Sequence, residues 1–340
     1  MRSGPFVIDI AGTQLTEEDV QLLHDNRVGG LILFSRNYQH RQQLVDLIQQ
    51  VRALRPDLLI MTDQEGGRVQ RFKAEFTRIP AMGRLVKAAQ HENIEVPALL
   101  RDVGWLLASE LLACGIDLTL APVVDLDRGI STVVGDRAFA EDPQCVVEYA
   151  GAFIEGLTAA GMSACIKHFP GHGGVAEDSH HHQVVDERTF EDIMSTDGLT
   201  FKTFIRQGIP AVMASHVVFP KVAAEPTGFS HYWLTTILRE KLGFKGVILS
   251  DDLSMQGASW LNGSAVAQAQ AALDAGCDLL LVCNQRAKVL QLLQQTAFAQ
   301  LDCGNQIRTL RANNYVDFDQ LQKDARWVET RARLMRWSYD

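Results

Sequence analysis

Eight short apolar runs, each followed by a longer amphipathic stretch, constrain this chain more than any other feature. The runs are Phe6–Ile10, Gly30–Phe34, Leu58–Thr62, Leu118–Ala121, Met162–Ile166, Pro210–Ala214, Val247–Ser250 and Asp278–Val282. Each is about strand length and mostly lacks polar alternation, as strands covered on both faces should. Helix signals fill the intervals. Thr16 stands as an N-cap before Glu17-Glu18-Asp19, whose acids suit the positive helix end. Asp142 precedes a proline at the first helical position, and Ser230 precedes His231–Lys241 with Gly243 as a stop. The stretches ending in Gly161 and Gly276 read the same way. A strand and a helix repeated eight times predict an α/β fold, a single-domain (β/α)8 barrel of the TIM type, with a doubly wound open sheet as the competitor. On this reading residues 1–340 are one catalytic domain. Residues 301–340 carry helical pattern without a further strand and should form an extension packed on the outside of the barrel.

Composition narrows the partners. The 340 residues are 46% hydrophobic, enough for one large core, and carry a net charge of -9 with no basic run. Such a chain is a poor partner for nucleic acid or an anionic membrane. The amino-terminal apolar run is too short for an export signal, and no segment approaches the ~18 apolar residues of a membrane span. The six cysteines form no C-x-x-C pair and read as reduced thiols, so a cytoplasmic location is expected. Oligomeric state is not legible; a monomer is the default.

Catalysis in such a barrel belongs at the carboxyl ends of the strands. Ionisable groups follow the apolar runs there without a spacer at Asp63, Lys167 and Asp251. Neighbouring strand residues point to opposite sides, so only one of Asp251 and Asp252 should face the barrel mouth. A carboxylate so placed can attack an anomeric carbon and form a glycosyl-enzyme; the bland alternative is a helix cap. In the stretch from Lys167 to His182, Asp178 and His180 are two apart. An extended loop would put them on one side, where the carboxylate fixes the imidazole tautomer and makes its other nitrogen a better base. Five histidines within fifteen residues raise the question of a metal. However, no H-E-x-x-H and no cysteine partner accompany them, so neither metal nor cofactor is expected. Arg71, Arg137 and Lys167 could donate to sugar hydroxyls or an acyl oxygen, or simply form surface ion pairs.

At these residues the chain resembles glycoside hydrolase family three, in particular its bacterial single-domain β-N-acetylglucosaminidases of muropeptide recycling. The motifs that carry the resemblance are Asp63-Gln64-Glu65-Gly66-Gly67-Arg68-Val69-Gln70-Arg71, Gly135-Asp136-Arg137, Lys167-His168-Phe169-Pro170-Gly171-His172-Gly173, Asp178-Ser179-His180, and Ser250-Asp251-Asp252-Leu253-Ser254-Met255. They occur in the family's order and span most of the chain. The resemblance implies that Asp251 is the nucleophile, His180 the general acid/base and Asp178 its orienting partner. It implies that Asp63, Arg71, Arg137, Lys167 and His168 hold the N-acetylglucosamine unit. The implied substrate is N-acetylglucosaminyl-1,6-anhydro-N-acetylmuramic acid, with or without stem peptide, and the implied role is in cell-wall recycling. The histidines after His180 depart from the expected pattern and bear on which imidazole moves the proton. A substrate-assisted hexosaminidase, a β-N-acetylglucosaminide phosphorylase, a metal-dependent amidohydrolase and a catalytically silent sugar-binding barrel are the competing readings. The segment 171–182 is expected to be less ordered than the strands around it.

Overall fold

The apolar runs pair side by side as parallel strands. In the computed structural model, which describes residues 2–175, 183–261, 264–312 and 314–337, they are β1 (Phe6–Ile8), β2 (Val28–Leu33), β3 (Leu59–Thr62), β4 (Leu118–Thr119), β5 (Ser163–Phe169), β6 (Ala211–Ala214), β7 (Val247–Ser250) and β8 (Leu280–Val282). Their order in the sheet is β8-β1-β2-β3-β4-β5-β6-β7. The ring closes between β7 and β8, where Leu249 bridges Leu279 and Ser250 N–H donates to the Leu279 carbonyl at 2.9 Å. Helices occupy the intervals, and the expected caps form. Thr16 and Asp19 make a reciprocal capping box, Asp142 accepts from Gln144 and Cys145 N–H, and Gly161 and Gly276 end their helices in the left-handed conformation. The fold is therefore the closed barrel, not the open sheet.

Residue parity sorts each strand into two layers. Leu59, Met61, Cys165, Ala211, Met213, Val247 and Leu249 belong to a buried cluster inside the ring. The residues between them, such as Ile60, Ile166, Val212 and Ile248, join the layer under the helices. Successive strand side chains alternate faces, so counting on by two from the inner set reaches Asp63, Lys167 and Asp251. The strand period itself delivers these three groups to the inside at the carboxyl mouth.

Two details depart from expectation. Strand β4 ends at Thr119 rather than Ala121: Leu120 N–H still donates to Thr62 O at 2.9 Å and Ala121 O accepts Cys165 N–H at 3.0 Å, but Pro122 has no N–H to give, and beyond it pairing resumes as the Val123–Lys167 bridge. The carboxyl-terminal extension does not lie wholly on the outer wall. Its first helix, Gly304–Leu310, places Ile307 and Leu310 in the inner cluster. It sits where the strands begin: Cys303 N–H donates to Ser3 O at 2.7 Å, and a side chain at Gly29 would strike Ile307. The helix thus covers apolar surface that the amino-terminal end of the ring would otherwise expose to water. The last helix, Ala325–Met335, packs outside, with Trp327 Nε1 donating to buried Glu110 at 3.0 Å. Among the described residues no helix is long and apolar enough to cross a membrane.

Candidate active site

A cavity of about 460 Å³ opens at the carboxyl mouth. Its lining includes Asp63, Glu65, Arg71, Arg137, Lys167, His168, His172, Asp251 and Asp252, with Phe34, Met213, Met255 and Leu281 as its apolar wall. The sites expected at Asp63, Arg71, Arg137, Lys167, His168 and Asp251 therefore converge on one space. Asp178 and His180 lie outside the described residues, as do His181 and His182, so the segment 171–182 is described only as far as Val175.

The basic groups are engaged by carboxylates within the cavity wall. Asp63 Oδ2 accepts from Arg71 Nη2 at 2.9 Å, and Oδ1 from Lys167 Nζ at 3.0 Å. Glu65 accepts both Nε and Nη2 of Arg137 at 2.8 Å and meets Lys167 Nζ at 2.6 Å. Burial alone would raise both carboxyls. The cations outweigh it and hold each below its ordinary range, Lys167 and Arg71 acting on Asp63, Arg137 and Lys167 on Glu65. Burial would likewise release the Lys167 proton, but Glu65 and Asp63 keep it bound. Three cations and two anions thus share one wall of the cavity, with their donors aimed before a ligand arrives. Arg71 also lies over the Phe34 ring, 5.4 Å from its centroid.

Beside this wall, buried Asp125 organises the end of β5. It accepts His168 Nδ1 at 2.7 Å, His168 N–H at 3.2 Å and His172 N–H at 2.8 Å. The Nδ1 contact leaves Nε2 as the other functional atom of the His168 ring. Burial, with the neighbouring His168, pushes the His172 imidazole down toward its neutral form.

Asp251 and Asp252 both line the cavity, so the expectation that only one would face the mouth needs correction. The backbone leaves the strand at this point, and alternation lapses with it. The two differ in bonding rather than in access. Asp252 is held by the turn, accepting Ser254 N–H at 2.9 Å and Cys283 N–H at 3.0 Å, and burial pushes its carboxyl up to about 6. Glu65, Asp125 and His172 also belong to the site without having been singled out in the sequence. Glu65 lies two residues beyond Asp63, on the same side of an extended chain, and that spacing was the available signal. Among the described residues no cluster of His, Cys, Asp and Glu could hold a metal ion.

The chain resembles known proteins in sequence and in fold. Residues 7–308 match the glycosyl hydrolase family 3 N-terminal domain. A β-hexosaminidase of Bordetella avium is 46% identical over 330 residues, which cover 96% of this chain and 94% of that protein. The crystal structure of native NagZ from Neisseria gonorrhoeae superposes with a TM-score of 0.93 at 39% identity, covering 100% of this chain and 99% of that one. The same Neisseria protein in complex with N-trifluoroacetyl-D-glucosamine gives 0.93 at 40% identity, with the same coverage.

Proposed function

Because the chain belongs to glycosyl hydrolase family 3, we propose that it is a retaining exo-β-N-acetylglucosaminidase acting on peptidoglycan fragments. The substrate we assign is N-acetylglucosaminyl-1,6-anhydro-N-acetylmuramic acid, with or without stem peptide, cleaved in the cytoplasm during cell-wall recycling. The observation that carries this reading is Asp251. It follows directly on the carboxyl end of β7, in the same cavity as the Asp63–Glu65–Lys167–Arg137 wall. The N-acyl sugar bound by the Neisseria relative supports an N-acetylhexosamine as the glycone. The six cysteines, all free, accord with a reducing compartment.

In the first step Asp251 attacks C1 while imidazolium His180, oriented by Asp178, protonates the leaving oxygen through an oxocarbenium-like transition state. In the second, neutral His180 takes a proton from water, which attacks C1 from the face the aglycone left. Two inversions give net retention. The roles of His180 and Asp178 rest on the motif resemblance, since both lie outside the described residues. Asp63, Arg71, Arg137, Lys167 and His168 hold the sugar. Fixed charges aimed before the substrate arrives need no reorganisation during reaction. Release of N-acetylglucosamine from the anhydro-disaccharide, followed by NMR, tests the proposal: the first-formed anomer should be β. An α-first product, or no release, would overturn it.

A further inference from the structure

Asp252 has no part in the chemistry above, yet its bonds join the turn after β7 to the residues that follow β6 and β8. Its Oδ1 accepts the N–H groups of Ser254, at 2.9 Å, and Cys283, at 3.0 Å. Its Oδ2 accepts Ser254 Oγ at 2.5 Å. One carboxylate therefore ties the turn after β7 to itself and to the residue following β8. The main chain of Asp252 is held as well. Its carbonyl lies 3.2 Å from His216 Nε2, and its N–H donates to Asp251 Oδ1 at 2.8 Å. A ring nitrogen facing a carbonyl must carry the hydrogen, so His216 is a donor there.

His216 is itself fixed. It is fully buried just past β6, and its ring stacks on Phe229 with centroids 5.5 Å apart and planes 13° apart. Gly228 permits the stack, for a β-carbon there would come within 3.2 Å of the imidazole Nδ1. A chain of contacts then runs from Phe229 to His216, to the Asp252 carbonyl, and through the same residue's N–H to the Asp251 carboxylate. Both the side chain and the carbonyl of Asp252 are thus bonded, which holds the residue whose N–H meets Asp251. The N–H in turn sets the plane of the Asp251 carboxylate.

We propose that Asp252 and His216 are positioning residues which aim the Asp251 carboxylate at the anomeric carbon. The inference rests on the reading of Asp251 as nucleophile. Neither residue touches the sugar in this role, so its signature is a loss of turnover without a loss of binding. Displacing a reacting group by about 1 Å can cost on the order of 100-fold in rate.

The test compares Asp252→Ala, Asp252→Asn, His216→Phe and His216→Gln, with Asp251→Asn as reference, on p-nitrophenyl N-acetyl-β-glucosaminide. The readouts are kcat, KM, the inhibition constant of free N-acetylglucosamine, and Tm. Asp252→Ala should lower kcat roughly 10- to 100-fold while the inhibition constant stays within about twofold. Asp252→Asn keeps an acceptor for both N–H groups and should recover most of that rate. His216→Phe keeps the stack and loses the donor, so it should behave like Asp252→Ala if the latter fails to fold. His216→Gln, with a donor restored, should be intermediate. Undiminished kcat in both Asp252→Ala and His216→Phe would overturn the clamp, as would sugar binding lost in step with turnover. If Asp251→Asn is inactive while both those variants stay fully active, only the clamp falls. Full activity in Asp251→Asn would instead overturn the nucleophile, and the clamp with it.

Discussion

Glu65→Gln removes one negative charge from a wall in which Lys167 and Arg137 are 3% and 9% exposed. Breaking a buried ion pair from one side costs about 3–5 kcal/mol, because the remaining charge stays desolvated. Asp63 survives as a second partner for Lys167, which favours the lower end. Linkage leads to a similar figure. The folded carboxyl is held down to about 2, against an unfolded value of about 4.3, so its charge contributes on the order of 3 kcal/mol at neutral pH. A depressed acid stabilises above the unfolded value and loses that contribution as pH falls through the folded one. The difference between wild type and Glu65→Gln should therefore be full at pH 7 and shrink to roughly half by pH 3. For 340 residues, an unfolding entropy of about 2.1 cal/mol/K per residue converts 3 kcal/mol into a Tm drop of about 4 °C. Calorimetry at the two pH values measures both quantities. A cost below about 1 kcal/mol at pH 7, or a difference that grows on acidification, would refute the claim that this wall is a coupled, desolvated charge cluster.

Three further outcomes follow from the site. His180→Ala should slow hydrolysis of the anhydro-disaccharide by ~10²–10⁴-fold while sparing the first step with a p-nitrophenyl leaving group, as pre-steady-state kinetics would show; equal activity of the variant on both substrates would remove His180 from the mechanism. Asp252 has the opposite linkage from Glu65: its folded carboxyl is raised to about 6, so wild-type stability is greatest below the unfolded value near 3.9 and falls by roughly 2–3 kcal/mol as pH rises through 6. The Tm of Asp252→Asn relative to wild type should then climb between pH 4 and 7, and a flat difference would show that burial does not govern this group. Excess phosphate should leave free N-acetylglucosamine as the product and EDTA should leave the rate unchanged; a sugar 1-phosphate would identify a phosphorylase, and chelator-sensitive activity a metal enzyme.

What the sequence disclosed depended on the range of the interactions involved. Strand composition is local, so the apolar runs located the eight strands, and the ionisable groups that follow them without a spacer marked Asp63, Lys167 and Asp251 at the strand ends. Capping is local too, and Thr16, Asp142, Gly161 and Gly276 act as read. Charge pairing is not. Glu65 meets Arg137 across 72 positions, and Asp125 meets His168 across 43, and nothing near either carboxylate names its partner. Helix Gly304–Leu310 was legible as a helix, but its apolar side does not say which surface it covers, and it plugs the ring rather than coating it. Asp251 and Asp252 could not be separated by alternation because the strand ends at Ser250.

The proposed mechanism requires a covalent bond at Asp251. A 2-fluoro glycosyl donor with a good leaving group should trap the glycosyl-enzyme, and peptide mass spectrometry should find the sugar on Asp251, with Asp251→Asn remaining unlabelled. Labelling of Asp252 or of any other side chain, or steady turnover with no adduct, would contradict it.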